Sequence, residues 1–162
     1  MKKSILTLLS ITVAVMASGF AEDKKAAHAP AAAAAPGPMI TPSAEGAKAY
    51  IVTPKDGDTV KGEFTVVFGL KGMGVAPAGV HFADKPTGHH HLLVDTDVTK
   101  LIAMNIPLPA DEKHIHFGGG QTETTLTLPP GKHTLQLILG NWTHVPHDPP
   151  VFSEVITITV EE

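Results

Sequence analysis

Cysteine and arginine are both missing from this sequence, and each absence removes classes of function. Without cysteine among the 162 residues, disulfides, thiolate metal ligands and thiol nucleophiles are excluded. All 12 basic residues are lysines, and the formal net charge is −4. Because nucleic-acid recognition and bidentate phosphate binding rely heavily on arginine, both are disfavoured. We therefore expect no nucleic-acid partner.

Catalytic motifs are also scarce. Beyond residue 21 the chain keeps only two serines, Ser43 and Ser153, and neither lies in a nucleophile motif. The run of three glycines at 118–120 lacks the Gly-Lys-Ser/Thr that a phosphate-binding loop requires. We predict no catalytic and no cofactor-binding residues, and the sequence favours a protein that is not an enzyme.

The N-terminus has the three parts of a secretory signal peptide. "MKK" supplies the positive charge, "SILTLLSITVAVMASGF" is an apolar run, and Gly19 and Ala21 are the small residues that precede a cleavage site. The apolar run is short for a membrane span of about 20 residues. We therefore predict a signal peptide over residues 1–21, a mature chain that begins at Glu22 without a membrane span, and export to a bacterial periplasm.

Residues 22–46 are rich in alanine and proline, with few bulky apolar side chains. This composition predicts an extended or disordered linker. The folded domain is then expected over residues 47–162.

Seven short runs of alternating apolar and polar residues follow, separated by glycine- and proline-containing turns. The pattern predicts an all-β fold: a single antiparallel, immunoglobulin-like β-sandwich of about seven strands. The predicted core residues are Phe64, Val66, Phe68, Leu92, Val94, Leu135, Leu137, Ile156 and Ile158.

Nine of the ten histidines fall in this domain, and two pairs have the spacing His-x-His. His89 and His91 would share one face of a strand with Cα atoms roughly 6.7 Å apart, which lets two imidazoles bind one ion. His114 and His116 repeat the arrangement opposite the apolar Ile115. The alternation predicts one metal site formed by these four histidines, with His90 turned towards the core.

A third histidine cluster lies in the proline-rich loop "GNWTHVPHDPP", where His144 and His147 are further candidate ligands. Imidazole binds copper, zinc and nickel, and copper has the highest affinity in the divalent series. We therefore predict a copper ion, with zinc as the alternative. His81 and His133 are expected to be structural or surface residues.

The segments "VFGLKGMGVAPAG", "GHHHLLVDT" and the stretch from "HIHFGGGQ" to "SEVITI" resemble a bacterial exported family known as domain of unknown function 4399. The resemblance implies an exported single domain and no particular activity.

Three functions remain open on the sequence alone. The first is an exported carrier or buffer of a transition metal ion, most simply copper. The second is an interaction module that binds an envelope protein partner through histidines that are structural or pH-sensitive. A metal-dependent oxidoreductase is the third.

Overall fold

The computed structural model describes residues 39–102 and 106–162. The predicted signal peptide and most of the predicted linker lie outside these residues. No helix within the described ranges has the length and apolar character needed to cross a membrane.

Short β-strands are the main regular structure of the described chain, as the alternating pattern predicts. Two very short strands, β2 and β4, add to the seven predicted runs. The elements in chain order are β1 (Lys48–Thr53), β2 (Thr59–Lys61), β3 (Glu63–Lys71), β4 (Gly74–Val75), β5 (Thr87–Val94), α1 (Val98–Ile102), β6 (His114–His116), β7 (Glu123–Thr127), β8 (Gly131–Gly140) and β9 (Ile156–Glu161).

The strands form two sheets, which confirms the predicted immunoglobulin-like β-sandwich. One sheet has the order β1–β3–β7, and the larger has the order β2–β9–β8–β5–β4, with β6 also paired to β5. Pairing is antiparallel except that β2–β9 and β4–β5 are parallel. The two parallel pairs involve the short strands β2 and β4. These strands have three and two residues, too few to show an alternating pattern in the sequence.

The main core lies between the two sheets. All nine predicted core residues belong to it, and Ile156 is the one member that is only partly buried. Side chains alternate between the two faces of a strand, so Leu92 and Val94 of β5 face this core together.

A second, smaller apolar layer covers the opposite face of the larger sheet. Leu93 of β5 and Ile138 of β8 pack there against Val98 and Leu101 of α1 and against Leu108. Strand β5 is consequently buried on both faces, including His89, His90 and His91. This double cover creates the enclosed environment of the histidines.

The residues just before β1 are part of the folded unit. Residues 39–43, here called the N-terminal strap, run beside the loop that follows β8. Pro42 forms a parallel bridge with Asp148, Ser43 N donates to Asp148 O (3.2 Å), and Asp148 N donates to Thr41 O (3.0 Å). These residues fall within the predicted linker of residues 22–46, and backbone hydrogen bonds can hold a segment that has little apolar surface.

Candidate metal centre

Four imidazole rings come together on the face of β5 that is turned away from the main core. His89 and His91 belong to β5, His116 to β6 and His144 to the loop after β8, here called the His144 loop (residues 141–148). The ring centroid of His89 lies 5.0 Å from that of His91, 5.0 Å from that of His116 and 4.9 Å from that of His144. The rings of His116 and His144 are 4.8 Å apart. We call this set the four-histidine cluster.

The local structure explains three of the four positions. Residues two apart on a strand share a face, which places His89 and His91 together. In the antiparallel β5–β6 pair His91 stands directly opposite His116, so their side chains project to the same side. The partner of His89 in β8 is Gly140, whose missing side chain leaves space for the rings. A Cβ atom at Gly140 would lie 3.1 Å from His91 Nε2.

The fourth position depends on a tight loop. His144 has φ 68°, in the left-handed region that non-glycine residues rarely adopt. Its backbone N–H donates to Asn141 O (2.8 Å), and its carbonyl accepts from Leu108 N (2.9 Å). These bonds turn the loop back over β5 and bring the His144 ring to the other three.

The ring nitrogens are close enough to share one ion. One ligand atom from each of His89, His116 and His144 lies within 4.8 Å of the others, so these residues could hold a metal. His91 Nε2 is 3.1 Å from His89 Nε2. Two nitrogens bound to one tetrahedral ion at about 2.05 Å are separated by roughly 3.3 Å, so this pair already has ligand spacing. The group of three does not include His91, whose ring centroid is 6.2 Å from that of His144, so a four-nitrogen site requires these rings to move closer together.

Burial keeps three rings of the cluster, those of His89, His91 and His116, uncharged. His89 and His91 are fully buried. Desolvation, followed by repulsion from neighbouring imidazoles, lowers the pKa of His89 to about 3 and that of His91 to about 2. Desolvation and then His144 also lower the pKa of His116. Neutral imidazole is the form that binds metal ions, so these three rings are in the ligand form at neutral pH.

Several buried nitrogens of the cluster have no hydrogen-bond partner among the described residues. These atoms are His89 Nδ1, His91 Nδ1 and His116 Nε2. An unpaired buried polar atom costs about 1–3 kcal/mol, and the cost is normally avoided. An ion held by the Nε2 atoms of His89 and His91 could pair His116 Nε2, whereas the Nδ1 atoms of His89 and His91 would stay without a partner. The donor set fits a borderline-soft transition metal, because it contains imidazoles without thiolates or carboxylates.

His114 and His147, both predicted as ligands, lie outside the four-histidine cluster. His114 stands opposite Leu93, one residue pair further along β5, and its Nδ1 is 2.8 Å from Asp111 Oδ1. His147 lies next to Gly88: a Cβ atom at Gly88 would be 2.9 Å from His147 Nε2. Because side chains alternate along β5, Gly88 is on the core side of the strand and His89 is on the other side. The Nδ1 of His147 is 3.0 Å from Thr41 Oγ1. The four-histidine cluster therefore contains four of the six predicted ligands: His89, His91, His116 and His144.

The remaining histidines of the described chain have other surroundings. His90 faces the core against Phe68, with ring centroids 5.3 Å apart, as the alternation predicts. His133 Nδ1 is 2.8 Å from Asp95 Oδ2, and its Nε2 is 2.8 Å from Pro129 O. His81 lies against Trp142 with ring centroids 5.3 Å apart.

Sequence reasoning missed two residues that shape the site, Gly140 and Asn141. Gly140 leaves the room in which the rings meet, and Asn141 organises the His144 loop. A glycine at the end of an apolar strand, followed at once by asparagine, is typical of a tight turn. This signal indicated a turn, but it did not indicate which side chains the turn would bring together.

Comparison with known proteins supports the sequence resemblance. The profile of the family described as "Domain of unknown function (DUF4399)" matches residues 66–161. The chain belongs to this family. The match includes His89, His91, His116 and His144, so the four-histidine cluster lies within the DUF4399 region. No curated protein matches the sequence.

Two solved structures are similar in fold at low identity. One is an endo-β-1,4-mannanase from Thermotoga petrophila, with 14% identity and a TM-score of 0.41 over 72% of this chain and 20% of that enzyme. The chain thus spans about a fifth of the mannanase. The other is a structure of fibronectin(III)-like modules of Clostridium thermocellum CbhA, with 11% identity and a TM-score of 0.35 over 70% of this chain and 93% of that one. Both similarities are too weak to imply a shared function.

Proposed function

We propose that this DUF4399 domain binds a transition metal ion, copper by preference, through His89, His91, His116 and His144, and acts as an exported carrier or buffer of that ion. One observation carries the proposal. Four imidazoles are gathered in one place, and two of them, His89 and His91, are fully buried. His89, His116 and His144 each offer a ligand atom within 4.8 Å of the other two, and His91 Nε2 lies 3.1 Å from His89 Nε2.

The choice of copper follows from the donor atoms. Imidazole suits copper, zinc and nickel, and for a given nitrogen site copper lies at the top of the divalent affinity series. Zinc is the alternative, because it accepts four nitrogens in a tetrahedral arrangement. Four protein ligands would leave a tetrahedral ion without an open position for a substrate, which favours storage or transfer over catalysis.

Export is supported by the features of the N-terminus. The charged start, the apolar run and the small residues at Gly19 and Ala21 are those of a cleavable signal peptide. We expect the protein in the periplasmic fraction, with an N-terminal mass that corresponds to a start at Glu22. A full-length chain recovered from the membrane fraction would refute this part of the proposal.

Titration calorimetry on the mature protein, prepared without a histidine tag, tests metal binding. Copper and zinc are titrated separately into the wild type, into His144→Ala and into His133→Ala. The wild type should bind copper well below 10 μM, while His144→Ala should bind more weakly because it has one ligand fewer. His133→Ala should match the wild type, since His133 is engaged with Asp95 and Pro129.

Two results would refute the metal proposal. One is binding of both ions no tighter than about 10 μM, which corresponds to only about −7 kcal/mol. The other is unchanged affinity in His144→Ala and in the double variant His89→Ala/His91→Ala. Either result would instead favour a domain that binds an envelope protein.

A further inference from the structure

We propose that Asn141 and the N-terminal strap position His144, so that docking of the strap and occupation of the metal centre reinforce each other. This inference rests on the proposed function, because it concerns the regulation of the same site. The strap ends four residues before β1, at the end of the segment that would join the domain to its signal peptide. The strap, which lies outside the strands of the sandwich, would thereby influence the affinity for the metal ion.

Asn141 organises the loop that carries His144. Its side chain is fully buried, and its Oδ1 accepts hydrogen bonds from Thr143 N (2.8 Å), Thr143 Oγ1 (2.8 Å) and Val145 N (3.1 Å). Its backbone carbonyl accepts from His144 N (2.8 Å), and its own N–H donates to Val145 O (2.9 Å). Asn141 therefore holds the residues on both sides of His144.

The same side chain also binds the strap. Asn141 Nδ2 donates to Met39 O and to Thr41 Oγ1, the latter at 3.2 Å. Thr41 Oγ1 in turn lies 3.0 Å from His147 Nδ1, at the far end of the loop. The side-chain amide of Asn141 thus binds the strap through its nitrogen and the His144 loop through its oxygen.

The backbone conformation of His144 depends on the hydrogen bonds that Asn141 and the strap provide. A non-glycine residue with φ 68° keeps its conformation only when surrounding contacts impose it. If the strap separates, Asn141 loses both partners of its Nδ2, and the loop loses two backbone bonds to the strap at Asp148. The His144 ring then has more freedom to leave the cluster. By thermodynamic linkage, if docking of the strap raises the affinity for the ion, binding of the ion must favour docking of the strap by the same factor.

Copper(II) titration of paired variants tests the first half of this coupling. Thr41→Val removes the hydroxyl between strap and loop with little change in shape. Asn141→Asp keeps the acceptor oxygen but removes the donor to the strap. Each should weaken copper binding by about tenfold, the low end for residues that orient metal ligands. Thr125→Val, which removes an exposed hydroxyl in the other sheet, should leave the affinity unchanged.

A double-mutant cycle separates positioning from general destabilisation. When His144 is replaced by alanine, three histidines remain to bind copper. Thr41→Val and Asn141→Asp should then change copper affinity by less than about twofold, because their only route to the ion has been removed. Equal losses of affinity with and without His144 would overturn the proposal.

Hydrogen exchange followed by mass spectrometry tests the second half on the native chain. Copper(II) should slow exchange in peptides that cover the strap and the His144 loop, relative to a peptide from β9. His144→Ala should lose this selective protection even when it is saturated with copper. Unchanged exchange of the strap in a wild type that binds copper would overturn the coupling and leave the proposed function standing. A wild type that takes up no copper would refute both together.

Discussion

At the scale of single residues, Gly140 is the position where one added methyl group should disturb the metal centre most directly. A Cβ there would lie 3.1 Å from His91 Nε2 and 3.4 Å from both His89 Nε2 and the Cα of His144. The φ angle of Gly140 is not positive, so the backbone itself tolerates alanine. We predict that Gly140→Ala weakens copper binding by at least about tenfold, a typical loss when the support of metal ligands is disturbed. Titration calorimetry measures the change.

Gly119→Ala is the matched control for this substitution. A Cβ at Gly119 would meet only the side chain of Gln121, at 3.1 Å, and Gly119 is exposed. Its copper affinity should equal that of the wild type. If Gly140→Ala also bound copper as tightly as the wild type, the rings would not meet at Gly140 when they bind the ion.

His133 allows a test of electrostatics away from the cluster. The hydrogen bond with Asp95 raises the pKa of His133 above its usual value of 6.5. A raised pKa in the folded state means that the pair stabilises the protein fully below about pH 6.5, and that the contribution is lost as pH rises through the folded-state pKa. Asp95 is 37% exposed, which limits the gain to about 1 kcal/mol or less through solvent screening.

We therefore predict that His133→Gln destabilises the protein more at about pH 6 than at about pH 8.5, where less of the wild-type imidazole is protonated. Urea unfolding of both proteins at the two pH values gives the difference. A loss that is larger at the higher pH would contradict the sign of the pKa shift.

At the scale of elements, β8 shows what the two apolar layers contribute. Leu137 faces the core between the sheets, whereas its neighbour Ile138 faces the smaller layer with α1, and both are fully buried. Removal of a buried leucine or isoleucine side chain costs about 2–5 kcal/mol. Leu137→Ala and Ile138→Ala should both lower the free energy of unfolding within this range, as measured by urea denaturation.

Thr125→Ala in β7 is the control for an exposed strand position and should change the free energy of unfolding by less than about 0.5 kcal/mol. If only Leu137→Ala were costly, the second layer would be a loose cover that does not enclose the histidines. The contrast between the two neighbours therefore tests the enclosure on which the metal proposal depends.

The same elements show how far the sequence leads. Alternation in β5 predicts the two faces of the strand, including the separation of His90 from His89 and His91. It cannot predict that both faces are covered, because the pattern of one strand does not show where α1 and Leu108 will pack. Strand pairing likewise decides that His116 meets His91 while His114 meets Leu93. A short strand such as β6 does not specify its register by pattern alone.

His144 illustrates the second reason that the site is only partly predictable. Its membership of a histidine-rich loop is visible in the sequence, and the loop was a candidate site for that reason. Its approach to β5 depends on the left-handed backbone conformation and on the many hydrogen bonds of Asn141. Such tertiary contacts have no counterpart in the local sequence pattern.

At the scale of the whole molecule, the histidines make the fold sensitive to acid. Burial lowers the pKa of five of them: His89, His90, His91, His116 and His147. Only His133 has a raised pKa among the histidines with a resolved shift. The unfolded chain therefore binds more protons than the folded chain below pH 6.5. Aspartates with lowered pKa values, such as Asp95, act in a separate range, below their usual value of 3.8.

We predict that the metal-free protein loses stability as pH falls from about 7 towards 3. A depressed histidine pKa means that stability is present above the unfolded value of 6.5 and is lost as pH falls towards the folded value, which is about 3 for His89. Each excess proton on the unfolded chain contributes about 1.4 kcal/mol per pH unit, and His133 offsets one of them in part. Urea midpoints measured with a chelator between about pH 7.5 and about pH 5 should fall steadily. A midpoint that stayed constant or rose over this range would mean that the histidines are more accessible to solvent than their burial implies, and an accessible cluster would have little need of a metal ion to pair its nitrogens.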